Sequence, residues 1–255
     1  MSYQDAVQKF FKFWDDYEPN GCFWHPNDCE AACGVETANL SSRGTVKENE
    51  SNKIVQNLGP IPYCGILETA KILILQLNPG FGVTSLLEMN DFRRFAGAQW
   101  KDENEQSCLN FRFIDPEFCN RSPGALQWWI PQLRSAVERV ANCRNLALDE
   151  AWTRTAKVVA TIDLIPYRSK NEPANWRMLM GLPSAERAIA VARAAIGCGG
   201  PTCFVHYGKG QWRRALDNLY FKKITVTSRG RGHRPTNIGK CPVFQEALLN
   251  AVQDA

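Results

Sequence analysis

An asparagine that directly follows a continuous apolar run is the first residue whose position suggests chemistry. Residues 71–77 read KILILQL, and Asn78, Pro79 and Gly80 follow them. An asparagine at this point can hold a water molecule through its amide oxygen, while backbone N–H groups of the turn face a ligand. The same tripeptide is also a common turn signal, because proline fixes φ and glycine permits conformations closed to other residues. Asn78 is therefore a candidate catalytic residue at a strand-to-helix turn.

Asp163 ends a second apolar run, residues 157–162 (KVVATI). Burying a carboxylate without a partner is costly, so an aspartate at the end of a buried strand needs a reason. A helix cap or an ion pair is one such reason. A hydrogen bond accepted from a ligand is the other, and aspartate can accept from the N4 amine of cytosine.

Three arginines and a histidine lie within residues 228–235, which read SRGRGHRP. Arginine binds phosphate through two parallel hydrogen bonds, and glycine lets a backbone approach a ligand closely. A solvated basic loop is the alternative interpretation, but the clustering after an apolar run favours nucleic acid. The side chains that we expect to contact the phosphates of DNA are Arg229, Arg231, Arg234 and Lys209.

The N-terminal region holds a cluster of residues whose types bind zinc. Cys22, His25, Cys29 and Cys33 lie close together in the sequence, and each could be a ligand of a structural zinc ion. Their spacing is not that of a paired Cys-x-x-Cys zinc finger. The alternative is a loop of reduced thiols.

Composition restricts the class of protein. The chain has 255 residues, of which 44% are hydrophobic and 22% charged, so a folded globular protein is expected rather than a disordered one. No apolar run approaches the roughly 18 residues of a membrane span, and residues 1–5 have neither the basic start nor the apolar core of a signal sequence, so we expect none. We expect a cytoplasmic protein without a membrane partner. The net charge of +4 permits nucleic acid as a partner without requiring it.

Alternating strand and helix patterns predict the elements that position these residues. Apolar runs at residues 71–77, 157–162, 202–206 and 223–227 read as buried parallel strands, each ended by a turn signal. Helical patterns occupy residues 4–17, 125–142, 184–196, 211–219 and 242–253. We predict an α/β fold with a parallel sheet, in which ligands bind beyond the carboxyl ends of the strands. Residues 1–62 are predicted to form an N-terminal helix and cysteine-bearing segment, and residues 63–255 the α/β domain.

Four segments at the strand ends resemble the motifs of the uracil-DNA glycosylase superfamily, especially its single-strand-selective and mismatch-specific branches. Residues 78–82 (NPGFG) resemble the first motif, whose asparagine positions the attacking water. Residues 163–166 (DLIP) resemble the segment where an asparagine reads the uracil edge, and residues 204–208 (FVHYG) resemble the third-strand segment. Residues 233–237 (HRPTN) are similar to the terminal His-Pro-Ser loop. The resemblance covers patches between about residues 71 and 240 and leaves the N-terminal sixty residues unexplained.

The resemblance implies a three-layer α-β-α fold around a central four-stranded, mainly parallel sheet. It implies a monomeric, monofunctional DNA glycosylase that flips a base out of the helix, hydrolyses its glycosidic bond and leaves an abasic site. The chemistry requires no cofactor. The implied catalytic residues are Asn78 and His233, and the implied base-binding residues are Gln76, Gly80, Phe81 and Asp163. A core role for Phe81 is equally open.

Asp163 departs from the superfamily pattern, and this departure bears on the substrate. A carboxylate facing O4 of uracil would repel it, whereas it can accept from the N4 amine of cytosine. We therefore expect a cytosine-type base, and a modified one, such as glucosylated hydroxymethylcytosine in phage DNA, whose excision would serve antiviral defence. Two alternatives stay open. One is a repair glycosylase for uracil or another deaminated base, in which a protonated Asp163 donates; the other is a non-catalytic DNA-binding sensor.

Overall fold

The predicted α/β class is confirmed by the computed structural model, in which helices accompany a mostly parallel sheet of five strands. The structure describes residues 1–15, 17, 23–41, 43, 45–56, 58–81, 114, 123–227 and 237–254.

Helices account for much of the described chain. The α-helices are α1 (Tyr3–Asp15), α2 (Pro123–Arg144), α3 (Leu148–Val158), α4 (Trp176–Leu179), α5 (Pro183–Gly197), α6 (Lys209–Phe221) and α7 (Pro242–Ala251). Single 3-10 turns lie at Pro26–Asp28, Glu48–Glu50, Ile238–Lys240 and Val252–Asp254. Every helical pattern predicted from the sequence overlaps one of these helices, whereas α3 and α4 were not predicted. None of the helices in the described ranges has both the length and the apolar character that crossing a membrane requires.

The strands form two sheets. The small sheet pairs β1 (Thr37–Ala38) with β2 (Ile54–Val55) in parallel. The strands of the larger sheet are β3 (Tyr63–Cys64), β4 (Ile72–Gln76), β5 (Val159–Asp163), β6 (Thr202–Val205) and β7 (Thr225–Val226), and their order is β3-β5-β4-β6-β7. Each of the four predicted runs overlaps one of the strands β4 to β7, whereas β1, β2 and β3 were not predicted.

The centre of the larger sheet is parallel. Ile72 of β4 lies opposite Thr202 of β6, and the register runs in step along both strands. β6 and β7 are also parallel. All five residues of β4 are buried, as expected for a strand covered on both faces, which explains why its first four residues are all apolar.

The edge strand β3 runs antiparallel to β5. The Asp163 N–H donates to the Pro62 carbonyl oxygen at 3.0 Å, and the Ile61 N–H donates to the Pro166 carbonyl oxygen at 2.8 Å. From the first bond to the second, the residue number falls in the segment of β3 and rises in the segment of β5, so the two segments are antiparallel. Gly65, just after β3, has a φ of +85°, and a Cβ there would lie 2.6 Å from the Val159 carbonyl oxygen. Only glycine fits this close approach.

The described residues divide into two compact units. The first holds those within Met1–Tyr63, Leu77–Leu109 and Asp163–Val191, and the second those within Cys64–Gln76, Asn110–Ile162 and Ala192–Ala255. The domain boundary predicted at residue 62 stays a prediction. In the second unit, Ile72 and Ile74 of β4 and Phe204 of β6 share one apolar cluster with residues of α2, α3 and α7.

The first unit is built on the aromatic face of α1. Phe10, Phe13 and Trp14 are buried, as the helical spacing of apolar residues predicts. Phe10 packs edge-on against Tyr63, with ring centroids 5.6 Å apart, and Phe13 stacks on the ring of His25 at 3.8 Å. These ring contacts join α1 to the segments that follow it.

A buried carboxyl group, Asp28, fixes the segment after α1. The Tyr167 hydroxyl donates to Asp28 Oδ2 at 2.6 Å, and the Ser184 N–H donates to Oδ1 at 3.0 Å. The same hydroxyl accepts from the His25 N–H at 3.0 Å. Burial, and then the charge of Asp28, raise the pKa of Tyr167 far above its usual range, so its proton stays on the hydroxyl. Both carboxyl oxygens of Asp28 and the Tyr167 hydroxyl are paired, which is typical of a structural centre.

Candidate functional site

The amide group of Asn78 is held in one orientation. Its Nδ2 donates to Ser169 Oγ at 3.0 Å, to the Ser169 carbonyl oxygen at 3.4 Å and to the Pro79 carbonyl oxygen at 3.2 Å. Carbonyl oxygens can only accept, so the amide nitrogen must face them and Oδ1 must point elsewhere. The side chain is half-buried. It therefore presents its oxygen from a fixed position.

Ser169 completes this arrangement. Its hydroxyl donates to the Asn171 carbonyl oxygen, so it accepts from Asn78 and cannot donate to it. No residue within the described ranges donates a hydrogen bond to Asn78 Oδ1, which leaves this oxygen free to accept from a water molecule. Sequence reasoning did not find Ser169, because no local pattern shows a contact between residues 91 positions apart.

Asp163 is the last residue of β5, and its side chain is buried, with 5% of its surface exposed. No hydrogen bond reaches its carboxyl group from any residue that the structure describes. Burial raises the pKa of the Asp163 carboxyl well above its usual range, and the positive charge of Arg168 opposes part of this rise. The group therefore keeps its proton to higher pH than an exposed aspartate, and a protonated carboxyl can donate one hydrogen bond while accepting another.

The segments that carry Asn78 and Asp163 lie side by side in the first unit. The Ile165 N–H donates to the Leu77 carbonyl oxygen at 2.8 Å, so the residue before Asn78 pairs with the second residue after Asp163. The structure thus brings together two of the strand ends that the sequence predicted to converge.

Gly80 and Phe81 follow Asn78 in the same unit. Gly80 is exposed, and a Cβ there would meet no atom within 4 Å, so nothing in its surroundings requires glycine. Phe81 is half-buried and packs on a small apolar cluster of Leu40, Val55 and Leu58. This contact gives the ring a role in the core of the unit, the alternative already open from the sequence.

Two other strand-end residues, Gln76 and His206, belong to the second unit, and both are buried. Trp212 Nε1 donates to the Gln76 carbonyl oxygen at 2.7 Å, which ties β4 to α6. His206 Nδ1 lies 3.1 Å from Thr227 Oγ1. Burial lowers the pKa of His206 to about 4, so its ring is neutral near pH 7.

Lys209 begins helix α6 in the second unit and is exposed. Gly208 before it has a φ of +73°, a left-handed conformation that favours glycine and starts the helix sharply. Further along α6, a surface cavity of about 540 Å³ is lined by Gly210, Arg213, Arg214, Asp217 and Asn218. Lys209 therefore lies on a helix that also exposes two arginines.

Several predicted site residues lie outside the described residues. They are the predicted catalytic His233, the basic-loop residues Arg229, Arg231 and Arg234, and the predicted zinc ligand Cys22.

The remaining candidate zinc ligands have separate surroundings. His25 uses both ring nitrogens: Nε2 lies 2.7 Å from the Phe13 carbonyl oxygen, and Nδ1 accepts from the Asn27 N–H at 3.1 Å. This leaves the ring no lone pair for a metal. Cys29 and Cys33 are exposed and belong to no disulfide. Within the described residues, no group of three or more histidine, cysteine, aspartate or glutamate side chains is placed to hold a metal ion. The zinc prediction as a whole includes Cys22 and stays a prediction.

No protein-family model matches the chain, and neither a curated protein nor a solved structure matches it.

Proposed function

We propose that the chain is a monofunctional DNA glycosylase that hydrolyses the N-glycosidic bond of a cytosine-type base, in particular a modified one. The observation that carries this proposal is the amide of Asn78, whose nitrogen is held by three protein oxygens while its own oxygen accepts no hydrogen bond from any described residue. A fixed, half-buried acceptor at the end of a strand is suited to orienting a water molecule for attack.

The reaction needs little from the protein beyond position and electrostatics. The base leaves with the electron pair of the bond to C1′, so positive charge develops on the sugar. The water held by Asn78 adds its oxygen to C1′ and releases a proton to solvent, and the departing base takes up a proton. The products are the free base and an abasic site. Groups already in place when charge develops lower the barrier, because they need no reorganisation during the reaction.

Asp163 supports the choice of a cytosine-type base. A protonated carboxyl group can donate to N3 of cytosine through its O–H and accept from the N4 amine through its carbonyl oxygen. The proton at N3 would also make cytosine, a poor leaving group as an anion, easier to expel. Burial favours the protonated form, since it raises the pKa of this carboxyl.

Other parts of the proposal come from the sequence resemblance. They are the three-layer arrangement of a uracil-DNA glycosylase-like fold, the stabilisation of the leaving base by His233, and phosphate binding by the basic loop with Lys209. The mostly parallel sheet with β4, β5 and β6 adjacent is compatible with that fold. Excision of a modified cytosine such as glucosylated hydroxymethylcytosine would place the activity in defence against phage DNA.

The raised pKa of Asp163 also favours one alternative, a repair glycosylase for uracil or another deaminated base. A protonated carboxyl group can accept from N3–H of uracil and donate to O4, which an ionised carboxylate cannot. The two proposals therefore differ in the base that the enzyme releases.

The test is release of abasic sites from matched DNAs that carry uracil, cytosine or glucosylated hydroxymethylcytosine. We expect the wild-type chain to act on the modified cytosine, and Asn78→Ala to lose roughly 10² or more in rate, as when a transition-state contact is removed, while still binding DNA. Asn171→Ala is the matched control, because the side chain of Asn171 is exposed and bonds Ser51. Activity on uracil alone would support the repair alternative. Binding without abasic sites on any DNA would indicate a sensor, and equal rates for Asn78→Ala and wild type would remove Asn78 from the mechanism.

A further inference from the structure

Gln76 and His206 are neighbours at the carboxyl ends of two paired strands. Leu75 of β4 lies opposite Val205 of β6, and the His206 N–H donates to the Leu75 carbonyl oxygen at 3.1 Å. The next residue on each strand is Gln76 and His206, respectively. Residues opposite each other in a parallel pair project to the same face of the sheet, so the two side chains lie on one side.

The ring of His206 has a defined tautomer. The Thr227 hydroxyl donates to the Val205 carbonyl oxygen at 3.2 Å, so it accepts from His206 Nδ1, which carries the proton. Nε2 of the neutral ring is then a lone-pair acceptor. This atom is buried and has no hydrogen-bond partner in the described part of the chain.

Gln76 offers the opposite function. Its Nε2 is also buried and also lacks a hydrogen-bond partner among the residues that the structure describes. The Gln76 amide is therefore a donor without an acceptor among the described residues, and the neighbouring His206 Nε2 is an acceptor without a donor among them. Unpaired buried polar groups are costly and uncommon, and two on adjacent strand ends indicate a ligand that satisfies both.

We propose that Gln76 and His206 bind, as a pair, an uncharged ring edge on which a hydrogen-bond acceptor adjoins a donor, as on a nucleobase. The acceptor takes the proton of the Gln76 amide, and the donor faces His206 Nε2. An anion does not fit, since its oxygens would face the lone pair of a neutral imidazole. The choice of a nucleobase as ligand rests on the proposed function, whereas the donor and acceptor pair rests on the two side chains alone. Because Asp163 is proposed to contact N3 and N4 of the excised base, the base bound by Gln76 and His206 is a different base of the DNA.

The test follows His206 directly by NMR. The chain has three histidines, so selective ¹⁵N labelling of histidine gives a simple spectrum. The resonance of His206 Nε2 is assigned by its loss in His206→Asn, which keeps an N–H donor near Thr227. We expect this resonance to shift when uracil or cytosine is added and to stay unmoved by 1,3-dimethyluracil, which has no N–H. The relative affinities of uracil and cytosine distinguish the two kinds of edge.

The variant Gln76→Met removes the amide at similar size and should weaken binding of the preferred base about tenfold. Gln132→Met is the matched control, since Gln132 Oε1 on α2 is also buried without a partner in the described residues, and it should bind as wild type does.

The proposal is overturned if neither base shifts the Nε2 resonance, as when water alone fills the site. It is also overturned if 1,3-dimethyluracil shifts the resonance as much as uracil or cytosine does. Unchanged affinity in folded Gln76→Met overturns it too, and if that variant does not fold, the wild-type titration decides. Base binding without abasic sites on any DNA would support binding by Gln76 and His206 and contradict the proposed glycosylase activity. Base excision without a response of His206 Nε2 would support the glycosylase activity and contradict binding by this pair.

Discussion

Asp28 and Asp163 are both buried carboxyl groups of the first unit, with 0% and 5% of their surfaces exposed, yet their surroundings differ. Asp28 accepts hydrogen bonds from the Tyr167 hydroxyl and the Ser184 N–H. Asp163 accepts none from any described residue, and burial raises its pKa. Asp28 lies in a 3-10 turn that joins segments distant in sequence, whereas Asp163 lies at a strand end.

The difference separates a structural carboxyl group from a functional candidate. Asp28 gains enough from its partners to offset its desolvation, so the fold keeps it for stability. Asp163 accepts no hydrogen bond from the described residues, and the charge of Arg168 offsets only part of the cost of burying its carboxyl group. Such a cost is commonly tolerated where the group serves a ligand, and substituting each residue by asparagine tests this distinction.

The largest effect is expected in base preference. Asp163→Asn keeps the size of the side chain but removes its acidic proton, so it cannot supply the proton that a cytosine leaving group needs. We expect the rate on the cytosine-type base to fall about 10²- to 10⁴-fold, the usual contribution of a positioned acid. The rate on uracil should fall less or rise, because an amide can donate to O4. The measurement is abasic-site release from the two DNAs.

Asp28→Asn is the control for this prediction. Where it folds, its ratio of rates on the two bases should equal that of the wild type. A folded Asp163→Asn enzyme with an unaltered ratio would return Asp163 to a structural role.

How far the sequence predicts this fold depends on the length of each element. The strands β4, β5 and β6 follow from apolar runs, because a buried parallel strand is apolar along its whole length. The two-residue strand β3 is too short to have a periodicity. The helix α3 was missed because no helical pattern was recognised there, and its last residues were assigned to the strand that follows.

The candidate site was predictable in position but not in its contacts. Asn78 and Asp163 were found because each follows an apolar run. Ser169, 91 residues beyond Asn78, could not be found from local patterns, since no local pattern shows a contact across that distance. Asp28 lies among polar residues and would pass for a solvated side chain. Its burial arises from Tyr167, 139 residues away.

A smaller effect is expected on stability, and here Asp28→Asn should have the larger effect of the two substitutions. In Asp28→Asn, one of the two groups that donate to Asp28 loses its acceptor, because an amide has a single oxygen. A buried donor left unpaired costs about 1–3 kcal/mol, so we expect the free energy of unfolding to fall by about this amount. Asp163→Asn loses no hydrogen bond and should be at least as stable as the wild type. Urea unfolding of both variants measures this, and equal losses would contradict the distinction.

The smallest effect, taken per pH unit, is a dependence of stability on pH. Because the pKa of Asp163 in the folded chain lies above the ordinary value of 3.8, the folded protein holds a proton that the unfolded chain has released. The stability that this group contributes is present below pH 3.8 and is lost as pH rises towards the folded-state pKa. Asparagine does not titrate, so the free energy of unfolding of Asp163→Asn minus that of the wild type should grow as pH rises from about 4, by at most about 1.4 kcal/mol per pH unit. Asp5→Asn is the control: hydrogen bonds with Ser2 lower the pKa of this exposed aspartate, so its contribution is complete above pH 3.8 and its difference should stay flat. A flat difference for Asp163→Asn would show that the wild-type Asp163 carboxyl group ionises in the folded protein as readily as in the unfolded chain. This result would contradict the proposal that a protonated Asp163 faces the base.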